Sequence, residues 1–360
     1  SDCIAYELLK KGKTVLYQTS PVMLDAIIDY RFNKNNTAAI YGGNNAGGRT
    51  ATANVTYANN DANGSADYIF GGGNKASTTT TNVTILKGTI NKNVFAGGNE
   101  ATTGSTNLTI KGGTAEKAFG GGNKAGVEET ATVTGYAGTY EEIYGGSNTS
   151  GNVAKTIVRI KAPADATNPT TSEAQVYTDV YGGNNSGGIT NDPNVYMDNG
   201  TVGRIFGGGN QAQVPKTYVE VNNGTASEVF AGGNGSTATV TSTQGTRLIV
   251  NDGNITTAVY GGGNEAQVSY GTAVTINAGI IQKAFGGGKS AQVGTDTVLE
   301  INSGKITQAF GGGNEAGLTT SNVKVMGGTV TNVYGGSNES GDLTTANVQV
   351  GQTVQTDSPL

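Results

Sequence analysis

Hydrophobic residues along this chain follow two short patterns that recur together. In the first pattern, apolar side chains occupy every second position, as at Val83 and Ile85. In the second pattern, an Ile, Val or Ala stands directly before an aromatic residue, as at Val94 and Phe95. Alternation with a period of two predicts β-strands that bury one face and expose the other to water.

The aromatic residue of the second pattern marks an internal repeat. It occurs twelve times, and a Gly-rich turn follows it each time. Eight of the eleven intervals between successive copies are 24 or 25 residues. Self-similarity at a fixed period indicates a repeat architecture. The twelve aromatic residues are Tyr41, Phe70, Phe95, Phe119, Tyr144, Tyr181, Phe206, Phe230, Tyr260, Phe285, Phe310 and Tyr334.

The repeat unit predicts the fold class. A unit of 24 residues is too short for a propeller blade, and it contains neither a helical stretch nor the Leu pattern of leucine-rich repeats. We therefore predict an all-β fold, a right-handed single-stranded parallel β-helix (β-solenoid) of about 12 coils with 24–25 residues each. Stacking at about 4.8 Å per coil gives a rod roughly 55–60 Å long.

The turn after the aromatic residue predicts an asparagine ladder. Glycine permits positive φ and close backbone approach, both of which a stacked turn can need. An Asn follows these glycines in the same slot of most coils, and stacked Asn side chains can hydrogen-bond along the axis. The predicted ladder contains Asn74, Asn99, Asn123, Asn148, Asn210, Asn234, Asn264, Asn314 and Asn338.

The aromatic column itself has two possible positions. It could stack inside the solenoid at a corner, or it could form a ladder on the outer wall. Phe in seven of the twelve copies favours a buried position, whereas Tyr in the other five keeps the outer position open.

The ends of the chain differ from the repeat. Residues 1–39 predict an N-terminal cap, with a strand from Thr14 to Gln18 and a short helix that begins at Ser20 and Pro21 and reaches about Tyr30. Residues 40–350 form the predicted β-helix. Residues 351–360 show no comparable cap, so we expect either a link to a further region or end-to-end self-association through the C-terminal coil.

One long interval of 37 residues separates Tyr144 from Tyr181. It carries an insertion at 162–175 that contains Pro163 and Pro169. We predict a polar loop there, and loops on a rigid scaffold often carry function.

Composition excludes several functions. The formal net charge is −5 with no basic run, so nucleic-acid binding is not expected. No apolar run is long enough to span a bilayer. The chain has no His, which removes the commonest general base and the commonest metal ligand.

Acidic residues offer the only candidates for catalysis. Glu315 and Glu339 follow ladder Asn residues in successive coils, and two stacked carboxylates can bind a cation or act as a glycosidase pair. The simpler interpretation is a pair of solvated glutamates, so we predict no catalytic residue. We predict no required cofactor, although calcium on the surface remains possible.

Units such as residues 327–338, Gly-Gly-Thr-Val-Thr-Asn-Val-Tyr-Gly-Gly-Ser-Asn, resemble the repeats of large secreted or surface proteins of gut-type bacteria, which are regarded as adhesin-like parallel β-helices. The resemblance covers about 41–350 and carries over no catalytic residue. It implies an extracellular or bacterial cell-surface module that is structural or adhesive and binds a polysaccharide or a host or matrix protein. The alternative is a carbohydrate-binding or carbohydrate-active β-helix, similar to lyases and hydrolases of that fold. An ice- or mineral-binding face would need a wide flat array, which a single Thr per coil does not provide.

Overall fold

The chain forms a parallel β-solenoid of about twelve turns in a computed structural model that describes residues 26–30, 37–59, 64–166 and 174–351. The predicted fold class is confirmed. The predicted strand at 14–18 and the start of the predicted cap helix lie outside the described residues. Residues 26–30, where that helix was expected to end, form a β-strand that pairs with the solenoid. The helix is therefore wrong at this end, because pairing with the next coil outweighs the short apolar stripe.

The described residues contain 23 strands and one short 3₁₀ helix at Pro163–Asp165. In chain order the strands are β1 (Ala26–Tyr30), β2 (Thr37–Tyr41), β3 (Thr50–Ala58), β4 (Ser65–Phe70), β5 (Thr78–Lys87), β6 (Thr89–Phe95), β7 (Thr103–Phe119), β8 (Val127–Tyr144), β9 (Val153–Ile160), β10 (Gln175–Tyr181), β11 (Pro193–Met197), β12 (Thr201–Phe206), β13 (Thr217–Val221), β14 (Thr225–Phe230), β15 (Thr246–Val250), β16 (Asn254–Tyr260), β17 (Thr272–Ile276), β18 (Ile280–Phe285), β19 (Asp296–Ile301), β20 (Lys305–Phe310), β21 (Leu318–Val325), β22 (Thr329–Tyr334) and β23 (Leu343–Val350).

Each coil contributes one strand to each of two long parallel walls. The first-strand wall holds the alternating strands, such as β11, β13, β15 and β17, and each pairs in parallel with its equivalent in the next coil. The second-strand wall holds the strands that end in the aromatic residue, such as β12, β14 and β16. In β7 and β8 the two strands of one coil run together without a break. A third, shorter side includes single bridges between Val214, Val240, Val268 and Val293.

The main core lies between the two walls. Alternate residues of the first-strand wall point inward, as Val83 and Ile85 do, and the residue before each aromatic meets them from the second-strand wall. Tyr57 and Tyr177 also enter this core, where their hydroxyls donate to the main-chain carbonyls of Thr89 (2.8 Å) and Ala137 (2.9 Å). Buried hydroxyls that keep a partner add apolar area without leaving a polar group unpaired.

Glycines serve two different purposes in each coil. In the turn after the aromatic residue they allow close packing, since a Cβ on Gly71 would lie 2.2 Å from the carbonyl oxygen of Ala96 in the next coil. Gly71 does not adopt positive φ, whereas Gly88 at the corner between the two walls does, with φ of 102°. The corner glycine is thus the one that needs the left-handed conformation, which costs other residues steric strain.

The last described coil is more exposed than the others. Tyr334 is 43% exposed, Val348 48% and Val350 72%. The predicted self-association through this coil stays a prediction.

Candidate functional surface

The asparagine ladder forms as predicted and includes two further residues. Each ladder Asn donates from Nδ2 to Oδ1 of the preceding ladder Asn, at 2.8–3.0 Å from Asn74 to Asn264. Asn45 and Asn185, which the sequence analysis left out, fill the slot in their coils. Lys289 interrupts the ladder, and the bond from Asn338 to Asn314 (2.8 Å) resumes it. The ladder is therefore a structural element along the turn.

The twelve aromatic rings form one continuous parallel stack. Neighbouring centroids lie 4.6–4.9 Å apart, and the ring planes differ by at most 10°. The ten inner rings are buried, but they form a cluster separate from the main core. Strand alternation places Phe95 on the face opposite Val94, so the stack lies outside the main core and is nonetheless covered. The rings are therefore buried, as the first predicted position required, but they lie on the outer side of the wall, as the second required.

Charged side chains flank this stack and pair with one another. Arg204 binds Asp179 through two hydrogen bonds of 2.8 and 2.6 Å, and Asp179 is nearly buried. Lys289 reaches across the stack to Glu228, with an N–O distance of 3.0 Å. Its ammonium lies 5.9 Å from the ring centre of Phe230. These pairs neutralise carboxylates that would be costly to bury alone.

Two buried tyrosines of the stack, Tyr144 and Tyr181, are held in their neutral form. The hydroxyl of Tyr144 lies 2.9 Å from a carboxylate oxygen of Glu142 and 3.0 Å from Asn185 Oδ1. Burial and the charge of Glu142 raise the pKa of Tyr144 above its ordinary value. Burial and the charge of Asp179 raise the pKa of Tyr181 in the same direction. These phenols therefore act as hydrogen-bond donors and not as proton acceptors at neutral pH.

The candidate acids Glu315 and Glu339 are exposed residues of adjacent turns. The amide of Asn314 lies 3.4 Å from Glu315 Oε1. Near the other end of the rod, Lys124 and Glu100, which also follow ladder Asn residues in successive coils, pair at 3.2 Å. A catalytic role for Glu315 and Glu339 stays a prediction.

The outward face of the first-strand wall changes character along the rod. From β3 to β8 it carries Asn and Thr in two adjacent columns, and the strand register aligns them from coil to coil. This uncharged array was not predicted as a surface, although Asn-Xaa-Thr in successive strands contains the signal. Its residues are Asn54, Asn82, Asn107 and Thr132 in one column, and Thr56, Thr84, Thr109 and Thr134 in the other.

From β9 to β15 the same face carries aromatic and charged side chains. The guanidinium of Arg159 lies 4.3 Å from the ring centre of Tyr196, and the Tyr196 and Tyr218 rings lie 5.8 Å apart. Tyr218 donates to Glu220 at 2.6 Å. Burial, followed by this hydrogen bond and the charge of Glu220, raises the pKa of Tyr218 to about 12.

Asp192, which precedes β11, has two lysine partners. Asp192 pairs with Lys216 at 3.0 Å and with Lys155 at 3.5 Å. Partial burial acts to raise the pKa of Asp192, but the hydrogen bond from Lys216 and the charges of both lysines outweigh it. The pKa of Asp192 therefore lies below its ordinary value.

A groove runs along the corner between the two walls, beside the insertion. This corner groove has a volume of about 630 Å³, and Ala162 and Pro163 line one end of it. It extends over the corners of the next three coils, at 199–201, 223–225 and 252–254, to Ile280. Of the insertion, residues 167–173 lie outside the described part, and Pro169 with them. Gln175, its last residue in the prediction, begins β10.

The described part of the chain contains neither a cluster of metal ligands nor a membrane-spanning helix. There, no three His, Cys, Asp or Glu side chains gather in a group that could hold a metal ion. Nor does any helix within those residues have the length and apolar character needed to cross a membrane. Calcium binding stays a prediction.

Comparison with known proteins gives no relative. No family model matches the chain, and neither a curated protein nor a solved structure shows significant similarity.

Proposed function

We propose that this chain is an extracellular structural and adhesive module, a β-solenoid rod that presents repeated side walls to its ligands. The observation that carries the proposal is the Asn and Thr array on the outward face of the first-strand wall. Equivalent side chains recur there once per coil. Each inner strand, such as β5, pairs in a fixed register with the equivalent strands of the preceding and following coils. Such an array offers many equal, weak contacts, which suits multivalent attachment.

The ladders support a load-bearing role. The asparagine ladder and the aromatic stack run beside each other over the same coils and connect each coil to the next. The rod spans eleven ring intervals, about 53 Å at about 4.8 Å per coil. Its stiffness favours a stalk or spacer that holds binding walls away from an anchoring surface.

The proposed ligands are polysaccharides or host or matrix proteins, and the proposed location is the bacterial cell surface or the extracellular medium. The net charge of −5 and the paired cations beside the stack speak against nucleic acid as a partner. Calcium bound to surface carboxylates is an optional addition to this function, and so is end-to-end association through the last coil.

A carbohydrate-active β-helix is the second candidate, and the corner groove is the observation that favours it. The groove is lined by amide, hydroxyl and carboxylate groups, the types that recognise sugars. If turnover occurs, Glu315 and Glu339, which are exposed on adjacent turns outside the groove, are the first acids to replace.

A solid-phase adhesion assay tests the proposed function. Wells coated with collagen, mucin, chitin or cellulose are incubated with the chain, with and without calcium, and released sugars are measured in the same wells. Binding without sugar release is the expected result. Release of sugar would replace the adhesive function with an enzymatic one. Binding to none of the coatings would overturn the proposal.

Two matched variants locate the binding wall. Thr84→Glu places a charge in the middle of the array, and Thr307→Glu places the same charge on the second-strand wall. Both positions are partly exposed. We expect Thr84→Glu alone to lower adhesion, with both variants melting as one cooperative unit. Equal adhesion by the two variants would contradict a role for the array.

A further inference from the structure

The corner groove repeats the same type of turn in three successive coils. At each corner an Asn or Asp side chain accepts the main-chain N–H of the following Gly at 2.8 Å, as Asn199, Asn223 and Asp252 do. This bond occupies Oδ1 and fixes the side chain. Nδ2 of both asparagines makes no hydrogen bond to other described residues and is left for a ligand.

Hydroxyls stand beside these amides at the same period. Thr201 and Thr225 are register partners in β12 and β14 and lie on the edge of the groove, and Thr201 is exposed. Their hydroxyls also have no hydrogen-bond partner among the described residues. The corners at 199–201 and 223–225 thus each offer a donor amide and a hydroxyl, about 4.8 Å apart along the axis, whereas the third corner carries Asp252 and Asn254. That spacing is close to the length of one pyranose unit in an extended chain.

The charge of the groove selects against ionic ligands. Asp252 is the only ionisable side chain among its lining residues. A polyanion would find no cation there, and a polycation would find a single carboxylate. An uncharged ligand that is rich in hydroxyls fits these groups best.

The main chain of the corners selects against a peptide strand. The N–H groups of Thr225, Asn254 and Ile280 already donate to the carbonyls of the preceding corner glycines at 2.8–2.9 Å. A peptide that adds as a strand needs free main-chain groups on a sheet edge. These N–H groups are not free to bind a peptide strand. A ligand at the corners is therefore recognised through side chains that hydrogen-bond its hydroxyls.

The ends of the groove and its neighbouring face complete the site. Pro163 at one end and Ile280 at the other are apolar, and Ile280 is 58% exposed. Both can contact the C–H faces of sugar rings. Tyr196 and Tyr218 lie on the adjoining sheet face of the same coils, three and five residues before the corner residues 199 and 223.

We propose that the corner groove binds an extended, uncharged carbohydrate chain that runs parallel to the solenoid axis, with successive sugar units against successive coils. The proposal rests on the surface-module function above and assigns one ligand class to one site. Asn199, Asn223, Thr201 and Thr225 hydrogen-bond the sugar hydroxyls, and Pro163 and Ile280 contact the sugar rings.

Affinity gel electrophoresis of the full chain tests this site. Gels contain soluble β-glucan, xylan, mannan or, as the charged comparison, polygalacturonate. We expect at least one neutral polysaccharide to retard the chain and polygalacturonate to have no effect. Thr225→Tyr fills the groove and should abolish the retardation. Thr114→Tyr is the matched control, because Gly113 and Thr114 form the same type of corner outside the groove.

A conservative variant separates ligand contact from folding. Asn199→Asp keeps the turn, because Asp252 makes the same turn with its carboxylate. It removes the donor amide, and we expect about two- to tenfold weaker binding from the loss of one hydrogen bond. Melting curves should match those of the wild type.

The outcomes separate the site from the general function. Equal retardation of Thr225→Tyr and Thr114→Tyr overturns the groove while the adhesive module stands. So does adhesion to protein coatings without retardation by any neutral polysaccharide. Retardation by polygalacturonate alone overturns the uncharged ligand. Loss of both adhesion and retardation in the wild type overturns both proposals.

Discussion

Removal of one asparagine from the middle of the ladder measures what the ladder contributes to stability. Asn123 donates to Asn99 Oδ1 at 2.9 Å and accepts from Asn148 Nδ2 at 2.9 Å. Asn123→Ala therefore breaks two hydrogen bonds and leaves one acceptor and one donor without a partner. All three residues are only partly buried, so water can replace part of the loss.

The magnitude follows from the number of bonds. A typical hydrogen bond contributes about 0.5–1.5 kcal/mol to stability, so the loss of two should cost about 1–3 kcal/mol. Asn338→Ala is the matched control, because Asn338 makes one ladder bond, to Asn314, among the described residues. Its expected cost is about half as large, about 0.5–1.5 kcal/mol.

Urea unfolding followed by far-ultraviolet circular dichroism supplies both values. The slope of the free energy of unfolding against urea concentration should stay the same, so that a change of midpoint reports a change of stability. A melting temperature and a midpoint that do not change in Asn123→Ala would refute the ladder as a stabilising element. Equal losses of stability in Asn123→Ala and Asn338→Ala would refute the inference that the loss is proportional to the number of ladder hydrogen bonds removed.

Three further variants probe other contacts. The hydroxyl of Thr78 is buried without a hydrogen-bond partner in the described structure, and Val127 fills the same column two coils on, so Thr78→Val should stabilise the fold by about 1 kcal/mol in urea unfolding. Arg204→Ala leaves Asp179 nearly buried without its cation and should destabilise by about 1–3 kcal/mol, and adding Asp179→Asn should restore part of this. Asp192 has a lowered pKa when folded, so its ion pairs stabilise the fold above about pH 4 and are lost as the pH falls through the folded value. Unfolding measured from neutral to acid pH should therefore show a smaller loss of stability for Asp192→Asn than for the wild type.

The solenoid could be predicted from the sequence because every coil repeats the same pattern of apolar, aromatic and turn residues. The pairing of Val94 with Phe95, the Gly-rich turn and the 24-residue period agree on one fold, and such agreement across levels is what specifies a structure. The asparagine ladder followed from the same alignment. Asn45 and Asn185 were not predicted as ladder residues because their turns contain two successive asparagines. Only the axial hydrogen bonds reveal that the second asparagine belongs to the ladder.

Features that depend on three-dimensional side-chain packing could not be predicted from the repeat. The aromatic stack is buried on the outer side and contacts the turn, as the hydrogen bond from Tyr144 to Asn185 shows, and a period-two pattern does not encode this contact. The ion pair between Lys289 and Glu228 joins residues 61 positions apart across two turns. The corner groove combines Ala162 and Pro163 of the insertion with the corners of later coils, a combination that the repeat pattern does not reveal.

The axial hydrogen bonds of the turns have a mechanical consequence. Main-chain groups of each turn bond to the adjacent coils, as Gly71 does to Phe95 and Asn99 does to Gly73. A force that pulls the two ends of the rod apart therefore acts on all coil-to-coil interfaces in series, and the interfaces break one at a time, beginning with the end coil. Each detached coil of 24 residues releases about 80 Å of extended chain in place of about 4.8 Å of rod. The chain can thus lengthen stepwise under tension and absorb energy at each step, while the coils that remain folded keep their walls unchanged.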